Sequence, residues 1–336
     1  MTDRGAPLTV VLAEWQTDLD FRRAIVSPVD FRPAPSRRDE DVAPLLAGAD
    51  ALVSRRFTAG MAAAANRLRL ILTPGAGTNE IDFAAVPPGV TVCNVFGHEA
   101  AIAEYVFMAI LALNRDLLNM DARFRRADWG DRARGPQREI RSRTLGIVGL
   151  GHIGAEVARL GRAFGMRVVA VTRSPDPRRA ETLGLVWLGD LGQLPRLLAE
   201  ADFVVVAVPL ESSTEGLIGR DELAAMKPSA YLVNVARGEV VDETALYDAL
   251  RAERIAGAAL DVWYRYPDAA ESVRPSAFPF HELPNVVMTP HVAGWTEGTF
   301  AHRWAAIAEN LRRLAASEQF VNAVWPRAAA AVVPPA

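Results

Sequence analysis

Two side chains suited to anion binding and acid–base chemistry follow apolar runs in the second half of the sequence. Arg237 follows the run Tyr231–Val235, and His291 follows Val286–Met288 and a proline that fixes the turn. A guanidinium is planar and permanently charged, so it can hold a carboxylate or polarise a ketone oxygen. A lone histidine is more often structural, but a position just past a strand end, in the same half as a nucleotide motif, favours a catalytic role. We predict that both residues lie at the carboxyl edge of a parallel sheet, where open α/β sheets bind their ligands.

The nucleotide motif is the glycine pattern Gly149-x-Gly151-x-x-Gly154, which follows a β-branched apolar run and precedes a helical pattern. The first glycine allows a tight strand-to-helix turn, the second lets the backbone approach a pyrophosphate, and the third lets the helix pack closely on the strand. The new helix then directs free N–H groups and its positive dipole end at the phosphates. The motif alone is weak, because glycine turns occur in other α/β folds. With its strand and helix in place, it predicts a dinucleotide site.

The end of the next predicted strand bears on the type of dinucleotide. An acid at this point would bond the ribose 2′-hydroxyl of NAD, whereas an arginine accommodates the 2′-phosphate of NADP. The residues there are Thr172, Arg173 and Ser174, and Asp176 comes only after them. Two hydroxyls and a guanidinium suit a phosphate monoester. We predict NADP(H) in preference to NAD(H), although Arg173 could be an arbitrary surface arginine in a chain with Lys227 as its only lysine.

Strand-like and helical patterns alternate along the chain, which indicates an α/β fold with parallel sheets. The predicted strands are Leu8–Ala13, Ala51–Val53, Leu70–Leu72, the run before Gly149, Arg167–Val171, Phe203–Val208, Tyr231–Val235, Gly257–Leu260 and Val286–Met288. The predicted helices are Val42–Leu46, Met61–Asn66, one long helix from about Ala100 to Arg126, Leu191–Ala199, Arg220–Met226, Asp242–Arg251 and Thr299–Ala315. The alanine- and proline-rich end, Arg327–Ala336, is expected to fray.

Composition limits the possible partners. A chain of 336 residues is long enough for two domains. A formal net charge of −3 argues against nucleic acid or an anionic membrane as the main partner. Cys93 is the only cysteine, so no intrachain disulfide or cysteine metal cluster can form, and we expect no metal site. The longest apolar segment, Ala100–Leu113, is too short to span a bilayer, and no secretory signal is visible, so we expect a cytoplasmic protein.

Several motifs in a fixed order are similar to those of the D-isomer-specific 2-hydroxyacid dehydrogenase family, which includes glyoxylate/hydroxypyruvate reductases. The similarity rests on Gly149-x-Gly151-x-x-Gly154, Val208-Pro209-Leu210 with Thr214 and Gly216-Leu217-Ile218, Asn234-Val235-Ala236-Arg237-Gly238, Ala259-Leu260-Asp261-Val262 and Pro290-His291-x-x-Gly294. Weaker matches are Gly75-Ala76-Gly77-Thr78-Asn79-Glu80-Ile81-Asp82 and Ala103-Glu104.

The resemblance implies two Rossmann-like domains with a cleft between them: a flavodoxin-like substrate lobe and a doubly wound dinucleotide-binding lobe. The substrate-binding domain would be residues 1–98 and 296–336, and the dinucleotide-binding domain residues 99–295. A homodimer through the cofactor lobes and the long-helix region is also implied.

The resemblance further implies NAD(P)H-dependent reduction of a small 2-keto acid, such as glyoxylate or hydroxypyruvate, to the D-2-hydroxy acid. Arg237 would bind the carboxylate and carbonyl, and His291 would protonate the carbonyl oxygen as hydride arrives. Ala76 and Gly77 would offer backbone N–H groups to the carboxylate, and Asp261 would bond the nicotinamide carboxamide. The other expected cofactor contacts are His152, Ile153, Val208, Pro209, Thr214, Val235, Ala236, His291 and Gly294, in addition to the glycines and the 172–174 segment.

One position departs from the family pattern. Most members have a glutamate that pairs with the histidine, and that position, 29 residues after Arg237, is Tyr266 here. A neutral phenol gives no ion pair, so we hypothesise that His291 loses its proton at lower pH than in its relatives. Glu271 or Glu282 could substitute for the glutamate, or Tyr266 could face the substrate. Two other functions stay open: oxidation of another small anion, and a corepressor-like dinucleotide sensor with little turnover.

Overall fold

A computed structural model of the protein describes residues 7–13, 28–130, 136–267 and 272–326. The chain divides into two compact units, Met1–His98 with Thr296–Ala336, and Glu99–Trp295. The assignment of substrate binding to the first unit and dinucleotide binding to the second stays a prediction at this point. In the described ranges, no helix combines the length and apolar composition that crossing a membrane requires.

Strands and helices alternate through these ranges, and short 3₁₀ turns occur at Leu191–Gln193, Gly238–Val240 and Phe280–Glu282. The strands are β1 (Leu8–Leu12), β2 (Val29–Pro33), β3 (Ala51–Val53), β4 (Leu70–Leu72), β5 (Thr91–Cys93), β6 (Thr144–Val148), β7 (Arg167–Val171), β8 (Trp187–Gly189), β9 (Phe203–Val206), β10 (Tyr231–Asn234), β11 (Gly257–Leu260), β12 (Val286–Met288) and β13 (Ala323–Trp325). The helices are α1 (Asp39–Leu46), α2 (Ala59–Ala62), α3 (Glu99–Asn114), α4 (Leu117–Phe124), α5 (His152–Ala163), α6 (Pro177–Leu183), α7 (Leu194–Glu200), α8 (Arg220–Ala225), α9 (Glu243–Arg251) and α10 (Glu297–Ala316).

The first unit has a six-stranded sheet in the order β2-β1-β3-β4-β5-β13. Its first five strands pair in parallel in the flavodoxin-like order 2-1-3-4-5, and β13 is added antiparallel to β5. Apolar side chains of α1 and α2 cover one face, and those of α10 cover the other. Both faces are therefore buried, which explains why strands such as Ala51–Val53 are continuous apolar runs.

The second unit has a seven-stranded, all-parallel sheet in the order β12-β11-β10-β9-β6-β7-β8. Helices α3 and α5 bury their apolar faces on one side, and α7, α8 and α9 bury theirs on the other. The chain reverses its direction of winding between β6 and β9, so the carboxyl ends of these two strands form the topological switch point. Ligands of doubly wound folds bind at this point. The predicted α/β fold with two Rossmann-like units is confirmed.

The prediction of one long helix from about Ala100 to Arg126 is wrong. Helix α3 ends at Asn114, and α4 starts at Leu117 after Asp116, whose backbone is left-handed with φ +50°. A short polar side chain tolerates this conformation because it can hydrogen-bond locally. The Asp116 carboxylate accepts hydrogen bonds from Asn119 at 2.6 Å and Arg123 at 2.8 Å, which stabilises the break.

Several short elements were not predicted from the sequence. Strands β2, β8 and β13 lie at sheet edges and are only partly buried, so they lack a continuous apolar run. Helix α6, which begins three residues after Ser174, was not predicted. Asp176 caps it, Pro177 begins it, and Gly184 ends it with φ +62°. This is the usual arrangement of proline at the start and glycine just past the end of a helix. The expected fraying of the chain end, Arg327–Ala336, lies outside the described residues.

Candidate active site

The three glycines of the nucleotide motif have three different surroundings. Gly149 has φ +102°, and a Cβ there would lie 2.6 Å from the carbonyl oxygen of Ala207 at the end of β9. A Cβ at Gly154 would overlap the carbonyl oxygen of Gly149. A Cβ at Gly151 would meet nothing within 4 Å. Gly149 and Gly154 are therefore required by the close approach of strand and helix, whereas Gly151 borders open space at the switch point.

This open space lies at the amino end of α5. Gly151 is the N-cap residue and supplies no side-chain cap, His152 is exposed, and Ile153 is half-buried. The first amides of a helix have no partner within the helix, and the dipole places partial positive charge there. The geometry fits the pyrophosphate of a dinucleotide, which needs donors and close backbone approach. Arg179, which sequence reasoning missed, donates to the Gly151 carbonyl oxygen at 3.0 Å and brings a guanidinium to the same turn.

In the segment after β7, the arginine that was predicted to bind the 2′-phosphate of NADP forms an ion pair with a carboxylate of the protein. Arg173 and Ser174 are exposed, and Thr172 is half-buried with its backbone N–H bonded to the Gly189 carbonyl at 3.0 Å. The Arg173 guanidinium pairs with the Glu211 carboxylate at 2.7 Å, and both side chains are well exposed. Glu211 was missed because it comes 38 residues later and from another strand end. Asp176 is used as the cap of α6, where it accepts from the Arg178 N–H at 2.9 Å.

The loop after β9 is held together by one buried hydroxyl. Thr214 donates to the Pro209 carbonyl at 2.6 Å and accepts from the Glu211 N–H at 2.9 Å. Val208 is buried and Pro209 is exposed. The predicted cofactor contact of Thr214 is untested, and its visible role is to shape the loop that carries Glu211.

Arg237 lies where it was predicted, directly after β10. Asn234, the last residue of that strand, accepts from the Ala236 N–H at 3.0 Å and donates to the Arg237 carbonyl at 2.9 Å. Val235 and Ala236 are buried, and the half-buried guanidinium of Arg237 bonds the Ala236 carbonyl at 2.6 Å. The Asn234 side chain thus closes a tight turn that fixes the backbone of Arg237.

Gly238 brings this turn against the segment after β11, since a Cβ there would overlap the Trp263 carbonyl. The approach connects the Arg237 turn to the segment that carries Tyr266.

The turn after β12 is organised around the Asp261 carboxylate, which is 1% exposed. It accepts from the Thr289 hydroxyl at 2.6 Å and from the Val292 and Ala293 N–H groups, each at 2.8 Å. Burial raises the pKa of Asp261, and these hydrogen bonds oppose that shift. His291 lies within this turn with φ +60°. Asp261 thus holds the His291 turn, and its expected bond to a nicotinamide carboxamide stays a prediction.

Tyr266 lies beside His291, with the ring centroids 5.6 Å apart and the planes tilted by 54°. Its hydroxyl accepts a hydrogen bond from the Trp263 N–H at 3.0 Å. Burial raises the pKa of Tyr266, and the Trp263 bond and the Arg237 charge act against that rise. The phenol is therefore neutral near pH 7, and its charge cannot support an imidazolium. Of the two substitutes, Glu271 lies outside the described residues, and Glu282 is exposed beside His281 at 3.9 Å.

The first unit contains the remaining two predicted residues, Ala76 and Gly77, in a half-buried loop after β4. Asn94, which sequence reasoning missed, donates to the Ala76 carbonyl at 3.0 Å. The Val95 N–H bonds the Gly75 carbonyl at 3.1 Å, so two contacts from the segment after β5 fix this loop. In the described ranges, no group of three or more His, Cys, Asp or Glu side chains could hold a metal ion.

The doubly wound sheet, the glycine turn and the Arg237 and His291 turns define a dinucleotide-binding α/β protein. Sequence comparison gives the family: a family model described as D-isomer specific 2-hydroxyacid dehydrogenase, NAD binding domain, matches residues 107–293. The chain belongs to the D-isomer specific 2-hydroxyacid dehydrogenase family, and its middle region is an NAD(P)-binding domain. The resemblance drawn from the motifs is confirmed.

Individual relatives differ in the reactions their names describe. D-3-phosphoglycerate dehydrogenase of Methanocaldococcus jannaschii is 33% identical over 85% of this chain and 53% of that protein. Glyoxylate reductase of Thermococcus kodakarensis is 37% identical over 78% of this chain and 79% of that protein. A solved structure of an acyclic imino acid reductase in complex with NADPH and D-Arg has a TM-score of 0.81 at 25% identity, covering 94% of this chain and 100% of that one. The chain spans about half the length of the phosphoglycerate dehydrogenases it matches.

Proposed function

We propose that the protein reduces a small 2-keto acid, such as glyoxylate or hydroxypyruvate, to the D-2-hydroxy acid, with NADPH as the preferred reductant. The observation that carries the proposal is the buried Asp261 carboxylate, which holds the His291 turn at the carboxyl edge of the sheet that also carries the glycine motif. The family assignment and the similarity to a glyoxylate reductase support it.

In this proposal, different residues of the second unit bind the substrate and donate the proton. A bound reduced nicotinamide would supply the hydride that the carbonyl carbon takes up. Arg237 binds the substrate carboxylate and polarises the carbonyl oxygen, and the His291 imidazolium donates the proton that this oxygen takes up. One keto acid, one NADPH and one proton give one hydroxy acid and one NADP⁺. Ala76 and Gly77 are proposed to donate backbone N–H groups to the carboxylate, which makes the first unit the substrate-binding domain.

Three groups of residues are proposed to hold the dinucleotide. The glycine turn and the first amides of α5, including those of His152 and Ile153, fit the pyrophosphate. Thr172, Arg173 and Ser174 support a 2′-phosphate. The guanidinium of Arg179 in α6, which donates to the Gly151 carbonyl, adds positive charge beside the glycine turn, where the pyrophosphate common to both dinucleotides is proposed to bind. Val208, Pro209, Thr214, Val235, Ala236 and Gly294 complete the proposed contacts.

The activity is tested by following oxidation of NADPH and NADH with a panel of 2-keto acids, including glyoxylate, hydroxypyruvate and phosphohydroxypyruvate. We expect steady turnover with at least one small keto acid and a higher kcat/KM with NADPH than with NADH. His291→Gln should lose at least about 100-fold in kcat, because general acid catalysis contributes roughly 10²–10⁴-fold. A protein that binds either nucleotide tightly yet turns over none of these acids would instead be a dinucleotide sensor, which Tyr266 in place of a glutamate favours.

We also propose a homodimer formed through the α3–α4 region. Large apolar side chains on and after these helices are exposed: Met108, Leu111, Leu117, Leu118, Phe124 and Trp129. A cluster of this kind marks an interaction surface. Light scattering should give about twice the chain mass of 36.4 kDa. A double change, Leu118→Glu with Phe124→Glu, should shift the mass to that of one chain.

A further inference from the structure

Tyr105 lies in the second turn of α3, outside the predicted site residues. Its side chain is 7% exposed, in the apolar layer that α3 forms with α5 and the sheet. The hydroxyl nevertheless reaches the segment after β12, where it lies 2.6 Å from the Thr289 hydroxyl. A polar group buried in an apolar layer is costly unless it is hydrogen-bonded, so this contact is important for the position of Tyr105.

The hydrogen atoms in this contact can be assigned. The Thr289 hydroxyl donates its single proton to Asp261, at 2.6 Å. It can therefore only accept from Tyr105, whose hydroxyl must be the donor. Burial raises the pKa of Tyr105 to about 12, so the phenol keeps its proton at neutral pH. Tyr105, Thr289 and Asp261 thus form a directed hydrogen-bond chain, which we call the Thr289 chain.

The Thr289 chain fixes one end of the turn that carries His291. The Thr289 carbonyl accepts from the Trp263 indole N–H at 2.8 Å, and its N–H bonds the Leu260 carbonyl at 3.0 Å. Since the hydroxyl also donates to Asp261 and accepts from Tyr105, every polar group of Thr289 is hydrogen-bonded. Asp261 fixes the other end of the turn through Val292 and Ala293.

This double attachment matters because His291 has φ +60°. A left-handed backbone is unfavourable for a side chain with a Cβ and persists only where the surroundings determine it fully. Loosening Thr289 would let the turn relax toward ordinary φ values, and the imidazole would move with it.

We propose that Tyr105 is a positioning residue for His291 and acts from helix α3 through Thr289. The inference rests on the proposed function, in which His291 is the proton donor. A misplacement of about 1 Å at a reacting group can cost about 100-fold in rate. The loss of one bond in a turn that Asp261 still holds should cost less.

The test compares Tyr105→Phe with Tyr264→Phe in the full-length protein. Tyr264 is the control because it is a half-buried tyrosine of the same unit whose hydroxyl also donates one hydrogen bond, but to the Val241 carbonyl, at 2.8 Å. Both variants should lose a similar amount in Tm. We expect Tyr105→Phe to lower kcat for glyoxylate about tenfold and to leave the Kd of NADPH within about twofold, and Tyr264→Phe to keep kcat within about twofold.

A rescue pair at Thr289 separates the hydroxyl from the rest of the side chain. Thr289→Ser keeps the hydroxyl and should keep most of kcat, whereas Thr289→Val keeps the shape and should lose at least as much as Tyr105→Phe. Equal kcat values for Tyr105→Phe and Tyr264→Phe, or for the Ser and Val variants, would overturn the proposal.

A spectroscopic readout makes the result independent of turnover. The five histidines of the chain can be observed by ¹H–¹⁵N NMR, with the His291 ring signals assigned from their loss in His291→Gln. Tyr105→Phe should shift these ring signals, and Tyr264→Phe should not. If the wild-type protein reduces no keto acid, the proposed function fails, but the NMR comparison still decides whether Tyr105 positions His291. Unshifted signals in Tyr105→Phe would refute the inference whatever the activity.

Discussion

The rings of Tyr266 and His291 lie 5.6 Å apart, and Tyr266 occupies the position where the family pattern implies a glutamate. The Tyr266 hydroxyl accepts a hydrogen bond from the Trp263 N–H, and the planes of the two rings are tilted by 54°. A neutral ring gives an imidazolium much less electrostatic stabilisation than a carboxylate does. The pH range in which His291 can donate a proton should therefore differ from that of its relatives.

Replacing Tyr266 by glutamate should extend keto-acid reduction to higher pH. A proton donor must be protonated, so kcat/KM for reduction falls as the pH rises through the pKa of His291. A neighbouring carboxylate favours the charged imidazole and raises that pKa, by about one unit or more, and the falling limb moves upward with it. The measurement is the pH profile of kcat/KM with glyoxylate and NADPH.

The control for this change is Tyr266→Gln, which has a similar size to glutamate but no charge. Its profile should fall at the same pH as that of the wild-type protein. The hypothesis that His291 lacks an ionic partner would be contradicted if kcat/KM of Tyr266→Glu fell at the same pH as that of the wild type. It would also be contradicted if kcat/KM of the wild type fell only above about pH 7.5.

The Arg173–Glu211 ion pair should work against NADPH. A 2′-phosphate must compete with the Glu211 carboxylate for the same guanidinium, and exposed pairs of this kind are worth only about 0–1 kcal/mol. Glu211→Gln should therefore lower the Kd of NADPH by about two- to fivefold. It should change the Kd of NADH less, because NADH lacks the phosphate. Arg173→Ala should raise the Kd of NADPH about tenfold.

Fluorescence titration of each variant with both dinucleotides measures these effects. Arg220→Ala removes a comparable exposed pair, with Asp248, and serves as the control for a general change in surface charge. Parallel changes for NADPH and NADH in Glu211→Gln would show that Glu211 does not discriminate between them.

Much of the fold and the positions of the candidate residues could be predicted, because buried parallel strands are continuous apolar runs and their ends are visible in the sequence. Arg237 and His291 were placed this way. The edge strands β2 and β13 lack such runs. The break before α4 depends on one left-handed residue, Asp116, which an apolar pattern does not reveal.

The partners of the site side chains could not be predicted, because they come from other strand ends. Asp261 bonds the turn 28 to 32 residues further on, and Arg173 bonds Glu211 38 residues away. Spacing shows which residues share an edge of the sheet, but it does not show which of several nearby donors a carboxylate accepts from.

Asp261→Asn should destabilise the second unit, since an amide offers one oxygen where the carboxylate offers two, and its NH₂ group would face backbone N–H donors. An unsatisfied buried pair of this kind costs about 1–3 kcal/mol. Burial raises the pKa of Asp261 in the folded wild-type protein, so this carboxyl ionises at lower pH in the unfolded chain than in the folded one. The free energy of unfolding of the wild type is therefore highest below about pH 3.9 and falls as the pH rises through the folded-state pKa, whereas the neutral amide of Asn adds no such pH dependence. Urea unfolding across this range should show that the difference between wild type and variant narrows as the pH rises. A difference that is constant with pH would mean that Asp261 has an ordinary pKa.

Alanine variants at two glycines of the nucleotide motif should differ in their effects: one should lower stability, and the other should weaken NADPH binding. Gly154→Ala places a Cβ against the Gly149 carbonyl, so the strand-to-helix turn must shift, and overpacking of this kind costs about 1–3 kcal/mol. Gly151→Ala meets no protein atom within 4 Å and should leave Tm almost unchanged. Its methyl group would occupy the space that a pyrophosphate needs, so the Kd of NADPH should rise at least about tenfold. Thermal unfolding and fluorescence titration of both variants check this. Normal NADPH binding by a stably folded Gly151→Ala variant would place the dinucleotide elsewhere.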